Sequence, residues 1–135
     1  HNNKPAPLTS EIMIDALSSF FKLFQKYLEV LSTYERNVKL EPALEMAKKA
    51  IEIEPENPSY LDTIGWVYFK LRDFKKAKKY ISQSVELNDK NAIVLEHLGD
   101  VLMETDEIDE AVEFYKKALS IDQDNSRLKK KVLSD

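Results

Sequence analysis

The sequence predicts an all-α protein built from repeated helix pairs, and three observations support this prediction. The first is a recurrence every 34 residues, in which Gly65 returns as Gly99. The second is helical spacing of apolar residues within each copy, as in Leu61, Ile64 and Tyr68. The third is a composition with only 2 glycines and 5 prolines. So few turn-forming residues leave little material for the tight turns of an all-β fold.

The recurrence divides most of the chain into three copies, at residues 24–57, 58–91 and 92–125. A single helix pair cannot bury its own apolar face, so stacked pairs should share one core. We expect Gly65 and Gly99 to lie where neighbouring helices approach closely. The columns in which all three copies agree are Leu40, Phe74 and Ile108; Ala43, Ala77 and Ala111; Ala50, Ser84 and Ala118; Ile53, Leu87 and Ile121; and Asn57, Asn91 and Asn125.

Helix boundaries are marked by capping residues. Asn57 before Pro58 predicts an N-cap followed by proline at the first helical position, where a missing N–H costs nothing. Asp73 is placed to cap the second helix of its pair. The basic stretch 125–134 predicts a short capping helix that covers the last pair with Leu128 and keeps its lysines in water.

These columns resemble the tetratricopeptide repeat, and the later copies are similar to repeats of larger bacterial proteins of that family. The resemblance covers roughly residues 24–125 and implies an α-solenoid of three helix pairs. A long N-terminal helix and a C-terminal capping helix would complete a single domain over residues 9–134. The matching residues are Leu61, Ile64-Gly65, Tyr68, Ala77, Tyr80 or Ile81, and Ser84 in the middle copy; Leu95, Leu98-Gly99, Leu102, Ala111, Tyr115 and Ala118 in the last; and Ala43, Ala47, Ala50 and Pro55 in the first.

The first copy departs from the pattern in two places. Leu31 stands where the other copies have glycine. The stretch RNVKLEP at residues 36–42 predicts an irregular turn between the two helices of this copy. Both departures concern helix geometry and leave the predicted fold class unchanged.

Composition and charge exclude several classes of function. A net charge of −4 argues against nucleic acid, whose binding proteins carry a basic footprint. The absence of cysteine excludes disulfides and thiolate metal sites. No run of eighteen or more apolar residues occurs, so no membrane insertion is expected. We find no nucleophile with a base, no metal constellation and no phosphate-binding loop. We therefore expect no enzyme activity, cofactor or metal, and interpret His97 as a partly exposed helical residue.

The start of the chain leaves its compartment open. It begins at His1 rather than at methionine, which we interpret as a fragment or a processed product. Residues 1–8 are expected to be a flexible tail or a remnant of a tag. A soluble protein of the cytoplasm or of the periplasm would fit equally well, since a signal peptide could have been removed.

The resemblance implies a binding groove lined by the first helix of each pair, and hence a protein or peptide as partner. An aromatic residue flanked by carboxylates suits a partner with an apolar anchor and basic residues. We reject the chaperone-tail binders of the family, because acids occupy positions where their carboxylate clamp needs donors. Trp66 either faces the partner or packs against the adjacent repeat. The predicted groove residues are Asp62, Trp66, Phe69, Lys70, Glu96, Asp100, Met103 and Glu104.

The segment 9–36 is too apolar for one buried stripe of a helix. It could pack on the first repeat, contact an upstream repeat, lie in the chain's own groove or associate with a second copy. Self-association would make a structural role, with oligomers driven by this helix, the alternative to the groove function. The residues predicted to carry it are Met13, Leu17, Phe20, Phe21 and Phe24.

Overall fold

The computed structural model describes residues 9–133, and the side chains of residues 9–31 and 40–133. The described residues form six α-helices and no strand, which confirms the all-α fold class. The contacts divide the chain into two compact units, one ending at Asn37 and the other beginning at Val38. The helices are α1 (Ser10–Ile53), α2 (Pro58–Lys70), α3 (Phe74–Leu87), α4 (Ala92–Glu104), α5 (Ile108–Ile121) and α6 (Ser126–Leu133).

The second unit holds the repeated helix pairs. Helix α2 packs against α3, and α4 packs against α5. Helix α4 also contacts α3, and α6 contacts α5, so each of the helices from α2 to α5 is in contact with the next one. One apolar core runs through these helices and includes Leu44 and Ala47 from the end of α1. Its other buried members are Ile64, Val67, Tyr68, Ala77, Ile81, Val94, Leu95, Leu98, Val101, Leu102, Ala111, Tyr115, Ala118 and Leu128.

The two glycines lie where the paired helices approach closely, as the sequence predicts. A Cβ atom on Gly65 would lie 2.4 Å from Cγ1 of Ile81 and 3.1 Å from its backbone nitrogen. On Gly99 it would lie 2.5 Å from Cε1 of Tyr115. These distances are shorter than a carbon contact allows, so only glycine fits at this helix spacing.

Caps and turns recur with the same period. The side-chain oxygen of Asn57 accepts hydrogen bonds from the N–H of Ser59 at 2.9 Å and of Tyr60 at 3.2 Å, as an N-cap should. Asp73 accepts one from the N–H of Lys76 at 3.2 Å. The turn before α3 has its left-handed residue at Arg72, with φ 65°. The left-handed residue of the turn before α5 is Asp106, 34 residues later, with φ 62°.

The first copy does not form the predicted pair of helices. Helix α1 runs from Ser10 to Ile53 through the predicted turn at 36–42, with Pro42 inside it. The column that holds the left-handed residues of the later turns is occupied by Val38. A β-branched residue adopts positive φ only at a high steric cost. The next column holds Lys39, whose side chain cannot accept a capping hydrogen bond as Asp73 does. The prediction of three helix pairs is therefore wrong for this copy.

The C-terminal helix is confirmed. It was predicted at 125–134 and spans Ser126–Leu133, with Leu128 buried in the core. Asn125 accepts a hydrogen bond at 3.1 Å from the N–H of Leu128. The single domain over 9–134 stays a prediction, and the predicted tail at 1–8 lies outside the described residues.

Replacing Gly65 by alanine tests the close approach. Alanine in place of glycine inside a helix normally stabilises by about 1 kcal/mol. Here we expect a net loss of about 1–3 kcal/mol in unfolding free energy, because the new methyl group overlaps the buried Ile81. Urea unfolding followed by circular dichroism measures the change.

The control for this variant measures helix propensity alone. Gln83 is exposed in α3. The unfolding free energy of Gln83→Ala should therefore exceed that of Gln83→Gly by about 1 kcal/mol. A Gly65→Ala protein that gains stability to the same extent would contradict the close contact.

Candidate protein-interaction surface

Three aromatic rings from α2 and α4 stack on one another. The ring centroids of Trp66 and Phe69 are 4.6 Å apart, and those of Trp66 and His97 are 3.9 Å apart, with nearly parallel planes in both pairs. The ammonium group of Lys70 lies 4.9 Å from the centre of the Trp66 ring. All three rings are partly exposed. We call Trp66, Phe69 and His97 the aromatic stack.

The aromatic stack is held in place by a carboxylate. Nδ1 of His97 donates a hydrogen bond to Asp62 at 2.9 Å, since a carboxylate can only accept. This bond links α2 to α4 and fixes the plane of the imidazole that lies on Trp66. The sequence-based interpretation of His97 as partly exposed holds, but its role in joining two repeats was not foreseen.

Two acids of α4 are bound by cations of α6, and we call these four residues the ion cluster. The buried carboxylate of Glu96 accepts two hydrogen bonds of 2.8 Å from Arg127 and one of 2.7 Å from Lys131. Asp100 accepts a hydrogen bond of 2.9 Å from Lys131 and one of 2.6 Å from the hydroxyl of Tyr115. The last helix therefore neutralises two of the four acids that the sequence assigned to the groove.

These contacts shift several pKa values. The hydrogen bonds from Arg127 lower the pKa of Glu96 to about 2, against the opposing effect of burial. Burial would lower the pKa of Lys131, but its bonds to Glu96 and Asp100 outweigh this and raise it. Burial, followed by the hydrogen bond to Asp100, raises the pKa of Tyr115. Glu96, Arg127 and Lys131 are therefore charged near neutral pH.

The predicted groove residues fall into three groups. Asp62, Trp66, Phe69 and Lys70 lie together on α2, around the aromatic stack. Glu96 and Asp100 belong to the ion cluster, and Glu96 is too deeply buried to meet a partner. Met103 and Glu104 are exposed at the end of α4.

Sequence reasoning missed Arg127 and Lys131, because it made no prediction for Arg127 and placed the lysines of the last helix in water. Their distances along the chain from Glu96 are 31 and 35 residues, close to the length of one repeat. The repeat period could have identified them, because residues one repeat apart lie on adjacent helices of the same kind.

The described residues contain no group of three or more His, Asp or Glu side chains placed to hold a metal ion. No helix among them is both long and apolar enough to cross a membrane.

The ion cluster predicts a dependence of stability on pH. Because the folded pKa of Glu96 is below its usual 4.5, its pairing stabilises the fold above that pH and is lost as the pH falls towards 2. Glu96→Gln should lower the unfolding free energy at pH 7 by at most about 3 kcal/mol, and by less where solvent screens the exposed Arg127. The deficit should vanish near pH 2. Thermal unfolding at several pH values measures it.

A matched control is Glu113→Gln, in the exposed pair with Lys116 at 3.6 Å. Exposed pairs contribute little, so this variant should follow the wild type at every pH. A Glu96→Gln deficit that stays constant from pH 7 to pH 2 would show that the carboxylate charge is not the cause.

Comparison with known proteins places the chain in a family. Residues 36–118, more than half of the chain, match the family model described as anaphase-promoting complex, cyclosome, subunit 3. The BBSome complex member BBS4 of Bos taurus is 30% identical over 77 residues, which are 57% of this chain and 15% of that protein. The small glutamine-rich tetratricopeptide repeat-containing protein 2 of Mycosarcoma maydis is 30% identical over 88 residues, 65% of this chain and 25% of that protein. The chain thus spans a quarter or less of the length of these relatives.

Solved structures share the fold. The first tetratricopeptide domain of Spaghetti (RPAP3), bound to the HSP90 peptide SRMEEVD, has a TM-score of 0.68 at 21% identity, over 78% of this chain and 84% of that one. MamA has a TM-score of 0.65 at 20% identity, over 94% and 82%. TTC0263 of Thermus thermophilus has a TM-score of 0.64 at 27% identity, over 70% and 48%. The chain therefore belongs to the family of the matching model and is a tetratricopeptide repeat protein.

Proposed function

We propose that the chain is an interaction module that binds a segment of another protein on the face formed by α2, α4 and α6, centred on Trp66. The observation that carries the proposal is the aromatic stack, which is partly exposed and held by Asp62. Domains of this fold are protein-interaction modules, and the RPAP3 domain is bound to a peptide.

Preorganisation of the aromatic stack favours binding. Side chains that are already ordered lose little conformational entropy when a partner arrives. Tryptophan contributes strongly to many interfaces because it offers a large, rigid apolar surface. An apolar side chain of the partner would therefore find its best contact against Trp66 and Phe69, and the exposed Met103 occupies the column of Phe69 one repeat later.

The charges of the face narrow the choice of partner. Glu96 and Asp100 are bound within the chain, so they do not attract basic residues as strongly as the sequence suggested. Glu104 is the exposed acid of the predicted set and the natural counter-charge for a basic residue. A partner held by its C-terminal carboxylate is disfavoured, because Arg127 and Lys131 already bind Glu96. The partner expected is a segment with an apolar anchor and a nearby basic residue.

Peptide selection followed by mutation tests the proposal. Peptides selected from a random library on the wild-type protein should bind Trp66→Ala about 30-fold more weakly, which corresponds to about 2 kcal/mol at an interface hot spot. Isothermal calorimetry measures the affinity, and circular dichroism checks that the variant is folded.

Since Trp66 also packs against the core, exposed methionines give a second test. Met103→Ala should weaken binding, whereas Met46→Ala, on an exposed position of α1, should not. Selection that yields no binder, or binders that tolerate both Trp66→Ala and Met103→Ala in folded protein, would overturn the proposal.

A second candidate function is self-association through the N-terminal part of α1. No described side chain from Thr9 to Leu31 is buried, and large apolar residues fill this stretch. Phe20 and Phe24 stack with centroids 6.4 Å apart. Apolar surface of this extent on a soluble chain usually marks an interface. The predicted residues Met13, Leu17 and Phe21 are exposed on the same stretch.

Charges placed on this surface test the second candidate. Phe20→Glu with Phe24→Glu should convert an oligomer to monomers, because the interface would have to bury two carboxylates. Light scattering after size-exclusion chromatography measures the mass. An oligomer that survives both substitutions would move the interface away from these residues.

A further inference from the structure

We propose that two clefts beside the C-terminal ends of α3 and α5 bind an extended segment of a partner protein. The segment carries two apolar anchors, with a basic residue beside one anchor and an acidic residue beside the other. The clefts share no residue with the aromatic stack or the ion cluster, so the proposal goes beyond binding at Trp66.

The two clefts occupy equivalent positions in successive repeats. Each is formed by the loop that precedes the first helix of the repeat, by that helix and by the end of the second helix. The middle cleft, of about 380 Å³, is lined by Pro55, Glu56, Leu61, Gln83, Glu86 and Leu87. The residues 34 positions later line the last cleft, of about 300 Å³, together with Val85 and Phe114. Because the clefts repeat along the stacked helices, a linear partner can occupy both.

Each cleft presents apolar surface to solvent. Leu61 and Leu95, from the first helices, are buried. Leu87 and Ile121, from the ends of the second helices, are 48% and 47% exposed. An apolar side chain of a partner would remove this surface from water, which favours binding. Volumes of this size are at the small end of ligand sites, so each cleft suits a side chain rather than a large ligand.

The two clefts carry opposite charge. Glu56 and Glu86 give the middle cleft a charge of −2. In the last cleft Lys90 occupies the column of Glu56, and Lys117 adds a second cation. Asp89 also lines the last cleft, which leaves it a charge of +1. Complementary charges at the edge of a contact select partners. A segment that fits both clefts therefore needs a base beside one anchor and an acid beside the other.

These charged groups are available to a partner. All of the glutamates and lysines that line the clefts are exposed, and within the described part of the chain none of them forms an ion pair. The ammonium group of Lys117 lies 4.7 Å from the centre of the Phe114 ring, and this cation–π contact holds it at the last cleft. A partner's charges would thus meet groups that need not first give up an internal ion pair.

The stacking of repeats sets the spacing of the anchors. Helix α2 contacts α4, and helices in contact lie about 8–10 Å apart, so the two clefts should be separated by about the same distance. A chain in the polyproline II conformation returns to the same face every three residues, which is about 9 Å further along. The anchors of the partner are therefore expected about three residues apart.

Short labelled peptides with the cores KLPPLE, ELPPLK, KLPPLK and ELPPLE test the proposal, with affinities measured by fluorescence anisotropy. At least one mixed-charge peptide, according to the direction in which the segment lies, should bind about fivefold more tightly than both same-charge peptides. The reason is that a same-charge peptide brings like charges together at one cleft. Salt at about 0.15 M screens the general attraction of a chain of net charge −4 for cationic peptides.

Reversing the charge of the middle cleft should switch this preference. Glu56→Lys with Glu86→Lys makes both clefts basic, so ELPPLE should become the tightest binder. The matched control is Glu45→Lys with Glu104→Lys, which changes the net charge equally at exposed residues that line neither cleft. This control should keep the preference of the wild type, and circular dichroism checks that both variants are folded.

Substitution of the exposed apolar residues tests the anchors. Leu87→Ala and Ile121→Ala should each weaken the mixed-charge peptide about fivefold, because each removes apolar contact from one cleft. Leu133→Ala, at an exposed residue outside both clefts, should leave the affinity unchanged. Trp66→Ala should leave it unchanged as well, since the aromatic stack is a separate surface.

Three results would overturn the proposal. The first is no measurable binding, or equal binding of mixed-charge and same-charge peptides, or a preference that the Glu56→Lys, Glu86→Lys protein retains. The second is loss of peptide binding in Trp66→Ala but not in Leu87→Ala, which would assign the peptides to the aromatic stack. The third is an oligomer that Leu87→Ala dissociates in the absence of peptide, which would assign the clefts to a second copy of the chain.

Discussion

Close contact between the two helices of a repeat is the constraint on which the rest of this structure depends. Gly65 brings α2 onto Ile81, and Gly99 brings α4 onto Tyr115. Because both pairs have the same spacing, their first helices lie side by side. His97 of α4 can then reach Asp62 and stack on Trp66 of α2. The aromatic stack thus depends on the backbone packing of the same helices.

Helix α6 contributes both to the core and to the ion cluster at the surface. Leu128 of α6 covers the core, while Arg127 and Lys131 of the same helix hold Glu96. A buried acid without these partners would carry a large desolvation cost, so α6 determines whether α4 can keep its acidic residues. The charge of the surface around Glu96 and Asp100 is therefore set by a helix that the sequence predicts only as a cap.

Much of the fold could be predicted because its signals are local and repeated. Asn57 and Asp73 mark the N-termini of helices, and the two glycines mark close contacts between helices. The ion cluster was missed because its acids and cations are distant along the chain and belong to two different helices, α4 and α6. The unbroken α1 was missed because a family pattern was extended over a copy that lacks its turn residues. Two residues of the first copy depart from the pattern: Val38 occupies the column of the left-handed turn residues, and Leu31 occupies the column of the glycines.

Amide hydrogen exchange resolved along the chain tests the central claim most directly, namely that repeat packing builds one core around α4. Helix α4 contacts α2, α3 and α5, so opening it requires the core to come apart. The account predicts that the amides of residues 95–102 exchange most slowly, and that those of residues 10–23 exchange much faster. Equal protection in these two stretches, or fast exchange throughout α4, would contradict it.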